Sequence, residues 1–233
     1  MKQKFLILII SILILLAGSF VFKGKMHYTT YSQAYEQFKN INMQNYTEAF
    51  ASKHPRSVYV NTYEQIDSLA SLKKKSEAIA LVKCLKQAQY DNVISSQLQV
   101  EKVFQGHLPR LIDMYESCQI NAMQKNMTMY GPHTPMKKGA SYLVCLKKSQ
   151  YHHGFYHMVN TVLAVYPIKK LKKKTFPGGE EVVTKREDLE YDMLDVKYVD
   201  PHVNNRKYRK AMNDYPKFRQ ALFKQYGLAG ERS

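Results

Sequence analysis

Three histidines crowd one short phrase, YHHGFYH, which holds His152, His153 and His157. Imidazoles four residues apart, as His153 and His157 are, share one face of a helix and could ligate one metal ion. The surroundings predict another geometry. The phrase turns around Gly154 between two strand-like runs and has no carboxylate beside it, so it reads as a hairpin tip rather than a metal site. The thiols Cys84, Cys118 and Cys145 are odd in number, which leaves at least one unpaired, and no CxxC or Cys/His spacing accompanies them. Cys84 and Cys145 lie inside apolar runs, where a cysteine behaves as a small buried apolar side chain. There is no GxSxG, no HExxH and no phosphate loop. No catalytic residue, metal or cofactor is assigned on this basis, and an enzyme would need a site assembled from distant residues.

Charge carries a clearer signal. The chain has 35 Lys and Arg against 19 Asp and Glu, a net +16 over 233 residues, and such an excess is attracted to anions. It concentrates in two places. After Pro167 come Lys169, Lys170, Lys172, Lys173 and Lys174; a second run holds Arg206, Lys207, Arg209 and Lys210. These nine residues are the candidate contacts for an anionic surface. Between them, Glu180 to Asp195 carries seven acids against Lys185 and Arg186, and that stretch could instead pair with the basic runs internally.

The N-terminus selects among anions. Lys2 and Lys4 precede an uncharged run from Phe5 to Phe22. Eighteen helical residues span about 27 Å, close to a bilayer core of about 30 Å. Two readings compete: a single-pass anchor that places the rest of the chain outside the cytoplasm, or a signal peptide with small residues at Ala17, Gly18 and Ser19 for cleavage and secretion. Lys23 and Lys25 weaken the charge asymmetry that orients an anchor. Both readings export the body of the protein, so lipid headgroups or an envelope polymer are expected as the anion, and nucleic acid is not.

The elements that must carry these charges follow from periodicity. Residues 26–61 are polar and read as a stalk, with a short helix over 31–39. Tyr63, Ile66, Leu69 and Leu72 predict an amphipathic helix over 62–72, with Thr62 as N-cap and three lysines breaking it. Strands are predicted over 78–85, 95–104, 111–116 and 142–146, and one or two more within 155–168. Gly106 and Pro109 end the second, and the turn at Lys137, Lys138 and Gly139 leads into the fourth. Val82, Leu98, Val100, Leu143 and Val162 are the expected buried positions. Beyond residue 168, Tyr208, Met212, Tyr215, Phe218, Leu222 and Tyr226 recur at helical spacing and predict a helical pair divided near Pro216. The fold expected is mainly β with helical additions (α+β): a small antiparallel barrel over 62–168, an N-terminal membrane helix over 1–25 and a charged extension with a helical tail over 169–233.

The order of phrases SEAIALVKC, QVEKVFQG, LIDMYES and MKKGASYLVCLKK resembles a group of secreted or membrane-anchored Gram-positive proteins of unknown function. Their domains resemble the OB-like barrels of the netrin and tissue-inhibitor-of-metalloproteinase type. The resemblance covers residues 63–168. It implies an OB-like barrel, but the inhibitors' N-terminal cysteine and disulfide framework are absent, so protease inhibition does not follow. The function expected is a non-catalytic, extracytoplasmic binding or accessory module contacting anionic polymer or lipid through its basic clusters. The alternatives are a structural subunit that docks a protein partner through the C-terminal helix, and an enzyme whose site the sequence does not display. Export is directly testable: a reporter fused after Lys25 should be active only when it works outside the cytoplasm, and activity confined to the cytoplasm would refute the topology.

Overall fold

The computed structural model of the chain describes residues 40–43, 66–90, 93–121, 126–150, 152–177, 182–196 and 206–228. The chain divides into two units, residues 1–30 and 31–233, and all described residues belong to the second. The expected membrane helix, the short helix over 31–39, and Thr62 and Tyr63 lie outside the described residues. Among the described residues, no helix is long and apolar enough to cross a membrane.

The described residues are mainly β, with two α-helices and one short 3-10 helix, Arg186–Glu190. Helix α1 (Leu69–Lys75) is capped by Ser68, whose side chain accepts from the Ser71 amide at 3.1 Å. The three lysines expected to break this helix instead form its last turn, where their charge faces the negative end of the helix dipole. Ser76 ends it, donating from its Oγ to the Leu72 carbonyl at 2.6 Å.

Strands β2 (Ala78–Tyr90) and β3 (Val93–Gln105) form a long antiparallel hairpin in which Val82 faces Val100. Each outruns its apolar stretch, because ladder hydrogen bonds continue through polar residues such as Lys86 and Gln97 that hydrophobicity does not mark. Strand β4 (Leu111–Asn121) runs antiparallel to β3, and β6 (Ser141–Lys148) antiparallel to the other edge of β2. Strand β7 (Phe155–Met158) pairs antiparallel with β6 and then parallel with β4, Met114 facing Tyr156. The path β4–β3–β2–β6–β7 therefore returns to β4. A ring of five strands cannot alternate direction throughout, so at least one pairing must be parallel, and an all-antiparallel arrangement is excluded by parity alone.

The remaining strands attach to this ring. Strand β8 (Val165–Pro167) lies on β6. Strand β5 (Asn126–Met129) takes the far end of β4, and β1 (Asn40–Met43), from the segment expected to be a stalk, sits between β5 and β10 (Val182–Lys185). Strands β9 (Lys173–Phe176) and β11 (Met193–Val196) form a separate parallel pair. Residues beyond 168 thus supply strands as well as a helix; Met193 and the apolar face of that helix join the same apolar cluster as Val82 and Leu143, while Phe176, Leu189, Leu194 and Val196 pack with Ile41 and Ile94 in a second one.

Helix α2 (Arg206–Tyr226) is one helix, not the expected pair, and it runs through Pro216. An interior proline costs about 3 kcal/mol. Tyr208, Met212, Tyr215, Phe218, Leu222 and Phe223 are buried on both sides of it, at roughly 1.5 kcal/mol or more apiece, so packing outweighs the break. Tyr215 also stacks on Tyr166 at 5.0 Å and donates to the Val165 carbonyl at 2.9 Å.

Of the expected core, Val82, Leu98, Leu143 and Val162 are buried, but Val100 is only partly so. The β3–β4 ladder ends at Gln99 opposite Leu111, and beyond it Glu101, Lys102 and Val103 are exposed. Gly106 has φ +76°, and a Cβ there would lie 2.0 Å from the Glu77 carbonyl oxygen, so the turn ending β3 requires glycine. Leu98→Asp should therefore cost several kcal/mol, because it buries an unpaired carboxylate, and Val100→Asp should cost much less. Urea unfolding of the two variants measures the difference; equal losses would contradict this register.

Candidate functional site

The two basic runs converge on the acidic segment between them. In β9, Lys173 and Lys174 leave opposite faces of the strand. Lys173 lies 3.6 Å from Asp195, and Lys174 reaches Asp188 while lying over the rings of Phe176 and Tyr191. From α2, Arg209 grips Asp195 with both terminal guanidinium nitrogens, at 2.9 and 3.1 Å. Lys137, in the segment leading to β6, pairs with Asp192 at 2.9 Å, and the Lys172 amide donates to the other Asp192 oxygen at 2.9 Å. Asp188 accepts further from the Thr184 hydroxyl. The physical cause is desolvation. The Asp195 side chain keeps 4% of its exposure, and a carboxylate so far from water must be matched by charge and hydrogen bonds.

The nine candidate residues separate accordingly. Lys173, Lys174 and Arg209 hold the acidic segment. Lys210 pairs with Asp214 one turn along α2, while Arg206 and Lys207 open that helix. Lys169, Lys170 and Lys172 are exposed, and their ammonium groups make no ion pair among the described residues. Their backbone is fixed from both sides: Arg219 donates to the carbonyls of Pro167, Ile168 and Lys169 at 3.0 to 3.4 Å, and Asp192 holds the Lys172 amide.

The histidine phrase is a turn followed by a strand, with Gly154 at φ +85°. His152 contacts the Tyr115 hydroxyl at 2.6 Å, His153 is exposed, and the buried His157 donates from Nδ1 to the Met158 carbonyl at 3.1 Å. Among the described residues, no group of three or more His, Cys, Asp or Glu side chains is placed to hold a metal. All three cysteines are buried; burial raises Cys84 to about 11 and Cys145 to about 12, and holds Cys118 well above its ordinary value. Thiols so shifted are poor nucleophiles.

Two titratable groups escaped the sequence reading. Glu116 is buried at the middle of β4, where Oε1 accepts from the Ser96 hydroxyl at 2.5 Å and the Met136 amide at 3.1 Å. Burial raises its pKa to about 7, against the opposing effect of those two hydrogen bonds. Stability linked to Glu116 therefore falls as the pH rises from the ordinary carboxyl range through about 7. The available signal was an acid alternating in step with Ile112 and Met114 on a strand. His133 is the opposite case: burial lowers it to about 4, although its Nε2 hydrogen bond to the Val162 carbonyl, at 2.7 Å, works the other way. Its contribution is lost as the pH falls from 6.5 through about 4.

No family model matches the chain, and none of the curated proteins compared with it is significantly similar. The acidic segment makes its own prediction. Arg209→Met leaves Asp195 buried with Lys173 alone and should cost roughly 3 kcal/mol, the low end for a broken buried pair, because Arg209 keeps 28% exposure. Lys210→Met, at an exposed helix pair, should cost under about 1 kcal/mol. Chemical denaturation of both variants checks the contrast.

Proposed function

We propose that this chain is a non-catalytic, membrane-anchored extracytoplasmic module that contacts an anionic envelope polymer or lipid headgroups, with residues 5–22 as its anchor. The body is read as an OB-like barrel. The five-strand ring of pairings that returns to β4 supports that reading, as does the order of phrases along the chain. The observation that carries the binding proposal is the state of Lys169, Lys170 and Lys172: exposed, without ion pairs among the described residues, and mounted on backbone pinned by Arg219 and Asp192. Preorganised cations lose little entropy on contact. The contact surface is accordingly narrower than the basic runs suggest, since Lys173, Lys174 and Arg209 already serve internal carboxylates. Docking a protein partner through α2 is the weaker reading, because the apolar face of that helix is buried against its own sheet.

Each lysine at an anionic membrane contributes about 1 kcal/mol, screened over about 8 Å at physiological salt. The fragment from His27 to Ser233 should bind anionic vesicles at low salt and release as salt rises. Replacing Lys169, Lys170 and Lys172 together with Gln should weaken binding by roughly 100-fold, the equivalent of about 3 kcal/mol, with the thermal unfolding curve unchanged. Gln at Lys173 and Lys174 should lower stability instead. Equal binding to neutral and anionic vesicles, or full binding by the triple variant, would refute the proposal.

A further inference from the structure

We propose that Glu116 is a proton-controlled latch for residues 130–140, the segment joining β5 to β6: neutral Glu116 lets the segment close over it, and ionised Glu116 favours opening to water. Its surroundings are specific. From β2, Cys84 approaches the cluster, its Sγ 3.9 Å from Ser96 Oγ on β3 and 3.8 Å from the Met136 carbonyl. Cys118 follows on β4 itself, and Tyr142 faces the site from β6, its hydroxyl accepting from the Lys137 amide at 2.8 Å. Burial keeps these thiols and this phenol uncharged at neutral pH. The Lys137 ammonium is taken by Asp192. No lysine, arginine or histidine among the described residues pairs with Glu116. The carboxylate has hydrogen bonds but, among the described residues, no counter-charge, so a proton is the group that neutralises it.

The Met136 peptide is clamped at both ends. Its N–H goes to Glu116, and its carbonyl receives the side chain of Gln87 as well as the Cys84 thiol. From this point the segment reaches both the C-terminal part of the chain and β2. Leu194 donates to the Pro132 carbonyl at 2.7 Å, Thr134 Oγ1 to the Tyr191 carbonyl at 2.7 Å, and Gly139 to the Cys84 carbonyl at 2.7 Å. The segment is therefore the strap between the strand ring and the acidic stretch, and Glu116 lies beneath it. Water that reaches the carboxylate stabilises its ionised form, so ionisation and opening are coupled with a fixed sign. The latch stands whether or not Lys169 and its neighbours bind an anion.

Amide hydrogen exchange of the full chain in detergent micelles, corrected for intrinsic rates, tests this between about pH 5 and about pH 9. Protection over residues 130–140 should fall by about tenfold or more as the pH rises from about 5 to about 7 and level off above it, while β3 retains its protection. Glu116→Gln mimics the neutral carboxyl and should hold the segment closed at every pH. Ser96→Ala removes a donor to the carboxylate and should move the midpoint upward, giving a second readout should the Gln variant fail to fold. Protection independent of pH in the native chain, a parallel loss over β3 that marks global unfolding, or an unmoved midpoint in Ser96→Ala would each overturn the latch.

Discussion

Strand β4 offers one edge to two different partners, and the rest of the molecule is arranged around that division. Asp113 to Tyr115 pair with β7 and close the five-strand ring; Cys118 to Asn121 pair with β5 and carry the sheet on through β1 to β10. On its other edge, β4 slips register against β3 over the same stretch: Ser95 faces Tyr115, whereas Val93 faces Gln119. Extra residues in one strand of a pair form a bulge, which bends the strand and re-aims its side chains. The bulge explains why Tyr115, Glu116, Ser117 and Cys118 are all buried in succession, where a flat strand would alternate. It also divides the interior. Met114 belongs to the larger apolar cluster with Val82 and Leu143, and Cys118 to a smaller one with Ile41, Ile94 and Met127. Glu116 sits at the boundary, with hydrogen bonds from β3 and from the 130–140 segment.

A second constraint concerns charge. A net +16 suggests a broadly positive surface, but much of the local field is cancelled at short range. Asp188, Asp192 and Asp195 are buried and draw cations from the 130–140 segment, from β9 and from α2. Close pairs in a partly dry environment interact far more strongly than the same charges in water, so the acidic stretch works as a clasp. It fixes the β9–β11 pair and the first turns of α2. What it leaves outside is a short lysine loop, held by its backbone with its ammonium groups in solvent.

The histidines and cysteines illustrate how burial removes chemistry. His157 and the three thiols are packed where the charged form is disfavoured, and His133 is held neutral by the same cause. Burial has the same sign at Glu116, but the ordinary value of a carboxyl is low enough that the shift brings it to neutrality rather than away from it. One physical effect thus silences the bases and thiols and makes one acid responsive.

Much of the β architecture was legible in local pattern. The apolar runs around Val82, Leu98 and Leu143, the glycine at 106 and the turn at Gly139 marked strands and their ends, because side-chain alternation and backbone freedom are local properties. The helical spacing of Tyr208, Met212, Tyr215, Phe218 and Leu222 was equally plain. Their continuity across Pro216 was not, since it depends on burial against Tyr166 and the sheet. Ladder partners were also invisible: β1 lies far from β5 and β10 in sequence, and the parallel closure of β4 by β7 follows from ring parity rather than from either strand's residues. The basic clusters could be counted in the sequence, but which lysines meet a carboxylate could not, because Lys172 and Lys173, both exposed, differ only in where Asp195 falls relative to the neighbouring strand. Glu116 was on view as an acid among apolar neighbours, and only the fold put Ser96 and Met136 around it, with no cation paired to it among the described residues. Composition and periodicity determined the elements and the total charge; which charges meet, and which are left in water, was decided by tertiary packing, because desolvation acts on neighbours in space.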